Sequence, residues 1–152
     1  MEHVQRVVSK LRAIECYPIA GIRLLIGVFF CISGGTKLFV PAKFSLMQQT
    51  LISSHIPFPH ASAVFVSSIE FVCGAGLAAG LMTPLCALLL AVDMVVAILT
   101  NRIGTLHTSG LAWLDDFLYL PEVLYMLILV WLLFSGPGSY SVDALIAKRR
   151  RR

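Results

Sequence analysis

Five ionisable side chains interrupt runs that are otherwise apolar: Arg23, Lys37, Glu70, Asp93 and Glu122. A charge at the middle of a membrane-spanning helix costs ~2.5–3.5 kcal/mol on insertion scales. Left unpaired, five would cost roughly 12–17 kcal/mol at that rate, an upper figure because Arg23 and Lys37 lie off-centre and can snorkel. Folded domains have only about 5–15 kcal/mol to spare. The five groups must therefore be paired, protonated or wet. Three chemistries remain open: ion pairing that fixes helix register, a polar-ligand or proton-handling site, and plain snorkelling. Three carboxylates meet two cations, so one carboxyl is left over.

Spacing says which face carries this chemistry. A helix turns about 100° per residue, which puts Arg23, Gly27, Phe30, Gly34 and Lys37 within a stripe roughly 80° wide. The second apolar run has Ala63, Ser67 and Gly74 on the stripe of Glu70. The third has Cys86, Ala97 and Thr100 with Asp93, and the fourth sets Glu122 between Tyr119 and Met126. Four small or polar stripes facing one another make a bundle with a polar axis. Gly27, Gly34 and Gly74 let neighbouring backbones approach closely. By depth, Glu122 is the carboxylate nearest Lys37 and Glu70 is within its reach. Arg23 is expected to face toward Asp93 and Glu70.

The elements that must position these groups follow from composition. Hydrophobic residues make up 58% of the chain and charged residues 13%, about half the charged share of a soluble domain. Most of the surface cannot face water. The reading is an all-α, integral membrane four-helix bundle. Its spans are expected at residues 19–40, 61–81, 85–100 and 117–135, each near the about 20 residues a bilayer needs. Residues 1–17 form an N-terminal segment, 18–136 the transmembrane domain and 137–152 a basic tail. Between the first two spans, Phe44, Met47 and Leu51 recur at helical spacing, which predicts a short interfacial helix ending before Pro57. Trp113 and Tyr119 suit one interfacial belt and Tyr140 the other.

Eight basic residues, namely Arg6, Lys10, Arg12 and the run from Lys148 to Arg152, flank one side of such a bundle; Lys43 and Arg102 flank the other. The positive-inside rule makes both termini cytoplasmic. The terminal basic run belongs on an anionic bilayer face and not on nucleic acid. No cleavable signal peptide is expected.

Other chemistries find little support. The cysteines at 16, 31, 73 and 86 form no CxxC pair, and three lie in apolar runs where cysteine behaves as a small hydrophobe. His55, His60, His107, Asp115 and Asp116 read as solvated loop residues without a tight metal-ligand spacing, so no metal is expected. The glycines of Ser33 to Thr36 lack a Walker pattern, and no nucleophile elbow is present. No catalytic residue is assigned.

The residues "RLLIGVFFCISGGTKLF" resemble the first helix of the DoxX family of small membrane proteins. "IPFPHASAVFVSSIEFVCGAGLAAGLMTP" is similar to that family's Pro-x-Pro turn and glutamate-bearing second helix, and "GPGSYSVDAL" to its closing segment. The likeness runs from about residue 19 to 145. It implies a bacterial or archaeal four-helix membrane protein, with Arg23, Lys37, Glu70 and Glu122 at family positions. Two departures stand out. Pro84 occupies a turn that often carries a basic residue, and Asp93 lies in a normally apolar helix. The resemblance implies an accessory or quinone-contacting subunit of a membrane redox or stress-response system in the bacterial inner membrane. The alternative is a small transporter moving a proton or solute, as a homo-oligomer. Quinone is the one ligand or cofactor suggested; flavin, haem and iron–sulfur ligand sets are not seen.

Overall fold

The computed structural model describes residues 16–106 and 110–150. Arg6, Lys10, Arg12, His107, Arg151 and Arg152, which entered the charge and loop readings, lie outside the described residues. Within them the chain is helical throughout: α1 (Cys16–Phe39), α2 (Pro41–Ser53), α3 (Pro59–Ala79), α4 (Thr83–Ala97), α5 (Leu111–Leu118), α6 (Pro121–Ser135) and α7 (Val142–Arg150). No strand is present among the described residues.

Three helices are long and apolar enough to cross a membrane: Tyr17–Phe39, Pro59–Ala79 and Thr83–Arg102. α5 and α6 are long and apolar enough only when taken together, as a broken span or a re-entrant loop bent by 65°. The fourth span is therefore not the continuous helix expected at 117–135. Proline has no N–H and crowds the preceding turn; Leu120 is accordingly extended and Pro121 opens a new helix. The third span, in contrast, outruns the expected 100. Its last turn loosens to π-helix over Ile98–Arg102 before a 3₁₀ turn at Ile103–Thr105. The predicted interfacial helix is present as α2, with proline in its first turn and its end at Ser53. Leu51 is buried, Met47 half-buried, and Phe44 packs edge-on against the His60 ring.

α1 packs chiefly on α3, α4 on α6, and α3 joins the two pairs through α4. Glycines set the first of these contacts. A Cβ on Gly27 would strike the Ala78 backbone, one on Gly34 the backbone of Phe71 and Ser67, and one on Gly74 the backbone of Phe30 and Cys31. The stripe expected from spacing is where the two backbones meet. Phe30, Leu77, Leu90, Leu129 and Leu132 fill the core between the pairs.

The α3–α4 turn and the tail hold one another. α3 ends at Gly80 (φ +70), where the Leu81 N–H reaches the Gly76 carbonyl at 2.8 Å and the Gly80 N–H reaches Leu77 at 3.0 Å, a Schellman-type close. α4 has no side-chain cap from its own Met82. Asp143 supplies it, accepting from the N–H groups of Met82 at 3.1 Å and Thr83 at 3.4 Å. The Asp143 N–H in turn donates to the Gly80 carbonyl at 3.1 Å. Ser141 starts α7 by accepting the Ala144 N–H at 3.1 Å.

Candidate functional site

The polar stripes converge at the end of the bundle capped by α2. Lys37, in the last turn of α1, places its ammonium 2.6 Å from both oxygens of Glu70. Ser33, one turn back on α1, donates to Glu70 Oε2 at 3.3 Å. The glutamate side chain is 4% exposed and the lysine 27%. Lys37 therefore pairs with Glu70, deeper in the bundle than the depth-matched Glu122. The close α1–α3 packing explains the choice: Gly34 brings the two backbones together within one turn of both side chains.

Glu122 takes a different partner. The break at Pro121 puts it in the first turn of α6, where the helix dipole favours a carboxylate. Its Oε1 accepts from Arg102 Nε and Nη2, both at 2.8 Å. Sequence reading missed Arg102 as a site residue and counted it as loop. The available signal was the absence of Gly or Pro between Leu85 and Ile103, which lets the third helix run on to Arg102.

Arg23 does not join the cluster. It lies 14 residues before Lys37, about 21 Å along the helix, at the opposite end of the bundle. There it is 3% exposed and donates to carbonyls of Leu77 (2.8 Å), Ala78 (3.1 Å) and Tyr140 (2.7 Å). The expectation that Arg23 faces Asp93 and Glu70 is corrected. The last carbonyls of a helix lack intrahelical donors and carry the negative end of its dipole, so the C-terminus of α3 draws the guanidinium.

A cavity of about 490 Å³ occupies the other end. Lys37, Glu70, Asp93, Arg102 and Glu122 all line it, together with Met47, Thr50 and Ser53 of α2 and Val66, Met94, Ala97 and Asn101. Ser54, following α2, donates to Asn101 Oδ1 at 2.6 Å and fastens α2 to the end of the third span. Two of the five predicted groups form one ion pair, a third pairs with Arg102, and Asp93 stands beside Glu70 within electrostatic reach of Lys37. Cations in the cavity still number two, with Arg102 replacing Arg23, against three carboxylates. The one left over is Asp93: its buried Oδ2 has no hydrogen-bond partner. Glu122 Oε2 is likewise buried and unpartnered.

Among the described residues no group of three His, Cys, Asp or Glu could hold a metal. The chamber has room for a small polar or amphiphilic ligand, and its lining is mostly polar, with Met47, Val66, Met94 and Ala97 as its apolar part. Asp93 offers it a carboxyl that no cation occupies.

Helices long enough to span, a helix covering one end and ion pairs between the spans define a multi-pass helical membrane protein with a polar chamber at that end. The DoxX family model matches residues 19–102, more than half the chain, and the chain belongs to the DoxX family. It is 33% identical over 133 residues to the uncharacterised membrane protein Rv3486 of Mycobacterium tuberculosis, an alignment that covers 84% of this chain and 80% of that one. No solved structure matches the chain significantly.

Proposed function

We propose that this protein is a ligand-contacting accessory subunit of a membrane redox or stress-response system, and that its chamber receives a quinone headgroup. We place it in the bacterial inner membrane with both termini cytoplasmic, working beside other redox subunits or as a homo-oligomer. The observation that carries the reading is the chamber's make-up. Its volume lies in the ~300–1,000 Å³ range of small-molecule sites, its wall is apolar at Met47, Val66, Met94 and Ala97, and its polar groups include Asp93, a carboxyl beside Glu70 with no cation of its own. A quinone needs an apolar slot for its ring and a group that exchanges protons beside its oxygens. Asp93 suits the second role because no cation neutralises it.

The test is photolabelling of the purified protein with a photoreactive short-chain quinone. Labelled peptides should come from α2 and from the Asp93–Arg102 stretch, and excess unmodified quinone should remove the label. Label scattered over lipid-facing positions and indifferent to competitor would refute the reading.

A second reading, a small transporter with Glu70 and Asp93 on a proton or solute path, draws on the same acids. Such a path needs a second opening. At the far end Arg23 ties α1 to α3 and to Tyr140, and the chamber lining includes no residue from that end. Proton flux in vesicles that is abolished by Asp93→Asn would favour this reading.

A further inference from the structure

We infer that Cys73 and Cys86 are a redox pair, which passes two hydrogens to a membrane-dissolved quinone and closes to a disulfide across the α3–α4 turn. The choice of oxidant rests on the quinone reading above; the sulfur pair does not. Cys73 lies on α3 and Cys86 in the first turn of α4. Both are free thiols, buried in one apolar cluster with Leu77, Leu90 and Met94. The two thiols hydrogen-bond one another. α3 makes room for the contact at Gly76, one turn after Cys73, where an added Cβ would stand 2.9 Å from Cys86 Sγ. Cys86 Sγ also donates to the Leu81 carbonyl at 3.6 Å, so two contacts hold that sulfur against the end of α3. Neither cysteine lines the chamber.

A cysteine acting only as a small hydrophobe needs no second sulfur beside it. A disulfide needs two side chains that face each other across a short gap, and the thiol contact at Gly76 supplies that. Oxidation breaks two S–H bonds and forms one S–S bond. Both protons and both electrons go to the quinone, whose two carbonyl oxygens become the hydroxyls of the hydroquinone, and no other reactant is needed. An apolar cluster excludes charged oxidants, whereas an uncharged acceptor dissolved in the bilayer can approach it. Cys73 keeps 7% of its surface and Cys86 9%. The new bond ties α3 to α4 beside the Gly80 close and the Asp143 cap. Disulfides that form in reducing compartments are transient and redox-sensing, which suits a stress-response protein.

The experiment oxidises the full-length protein in nanodiscs with a short-chain ubiquinone and, in parallel, with diamide, an uncharged thiol-specific oxidant. Each sample is then digested with pepsin in acid, where thiol exchange stops for want of thiolate, and its peptides are weighed. Both oxidants should link the peptide bearing Cys73 to the one bearing Cys86, and dithiothreitol should part them. One hydroquinone should appear per link. Cys73→Ser should abolish the link and Cys31→Ser should keep it. Gly76→Ala, whose Cβ displaces Cys86 Sγ, should lower its yield. Unlinked peptides after both oxidants, or a link from Cys31 in place of either residue, would overturn the inference while leaving the chamber's quinone reading intact. Linkage by diamide alone would overturn quinone as the oxidant.

Discussion

Lys37 and Glu70 show how a costly pair of charges is accommodated. The ammonium touches both carboxylate oxygens and a serine completes the shell. Removing one partner of a buried pair typically costs ~3–5 kcal/mol, less where the freed carboxyl can take a proton. Lys37→Met should therefore lower the melting temperature of the solubilised protein clearly. Adding Glu70→Gln should recover part of the loss, while adding Glu122→Gln should simply sum with it. Recovery with Glu122→Gln in place of Glu70→Gln would contradict the pairing. The membership of Lys37, Glu70, Asp93 and Glu122 in a buried polar set could be read from charge inside apolar runs. Their partners could not. Depth alone ranked Glu122 above Glu70, whereas the approach permitted by Gly34 decided the matter. Arg23 was misread for a related reason: its ligands are main-chain carbonyls, which no residue letter announces.

Helices owe their packing here to what is missing from their surfaces. Gly34 has backbone where its Cβ would be, whereas Gly21, on the same helix, has nothing within 4 Å. Gly34→Ala should destabilise, since overpacking costs ~1–3 kcal/mol. Gly21→Ala should be neutral or slightly stabilising, because alanine is the better helix former by about 1 kcal/mol. Thermal melts of the two variants check this, and equal behaviour would mean that α1 and α3 do not meet along the glycine stripe. The existence and order of the helices were readable from apolar runs closed by proline and glycine. Two ends were not. Pro121 lies within an apolar run long enough to span, so its break was read through. The π-turn at Ile98–Arg102 follows a helix with no stop signal, so it was cut short.

The whole bundle has two unlike ends: an α2-lidded chamber at one, and a closure built by Arg23, Gly80 and Asp143 at the other. Charge asymmetry predicts which faces the cytoplasm. A cysteine replacing His60 should react with an impermeant maleimide added outside cells, and one replacing Ala147 should react only after the cells are opened; both positions are exposed. The opposite pattern would invert the topology.

The closure also bears on how the protein is made. The cap of α4 comes from Asp143, 61 residues after Met82, and the third carbonyl holding Arg23 comes from Tyr140, 117 residues after it. At ~5–20 residues per second of synthesis, the α3–α4 turn waits about 3–12 s for its cap. During that interval the buried end of α1 holds a guanidinium with only the α3 carbonyls to satisfy it. The segment around Tyr140 and Asp143 is thus the latch of helices translated well before it, and a nascent chain halted before residue 140 remains unlocked at this end.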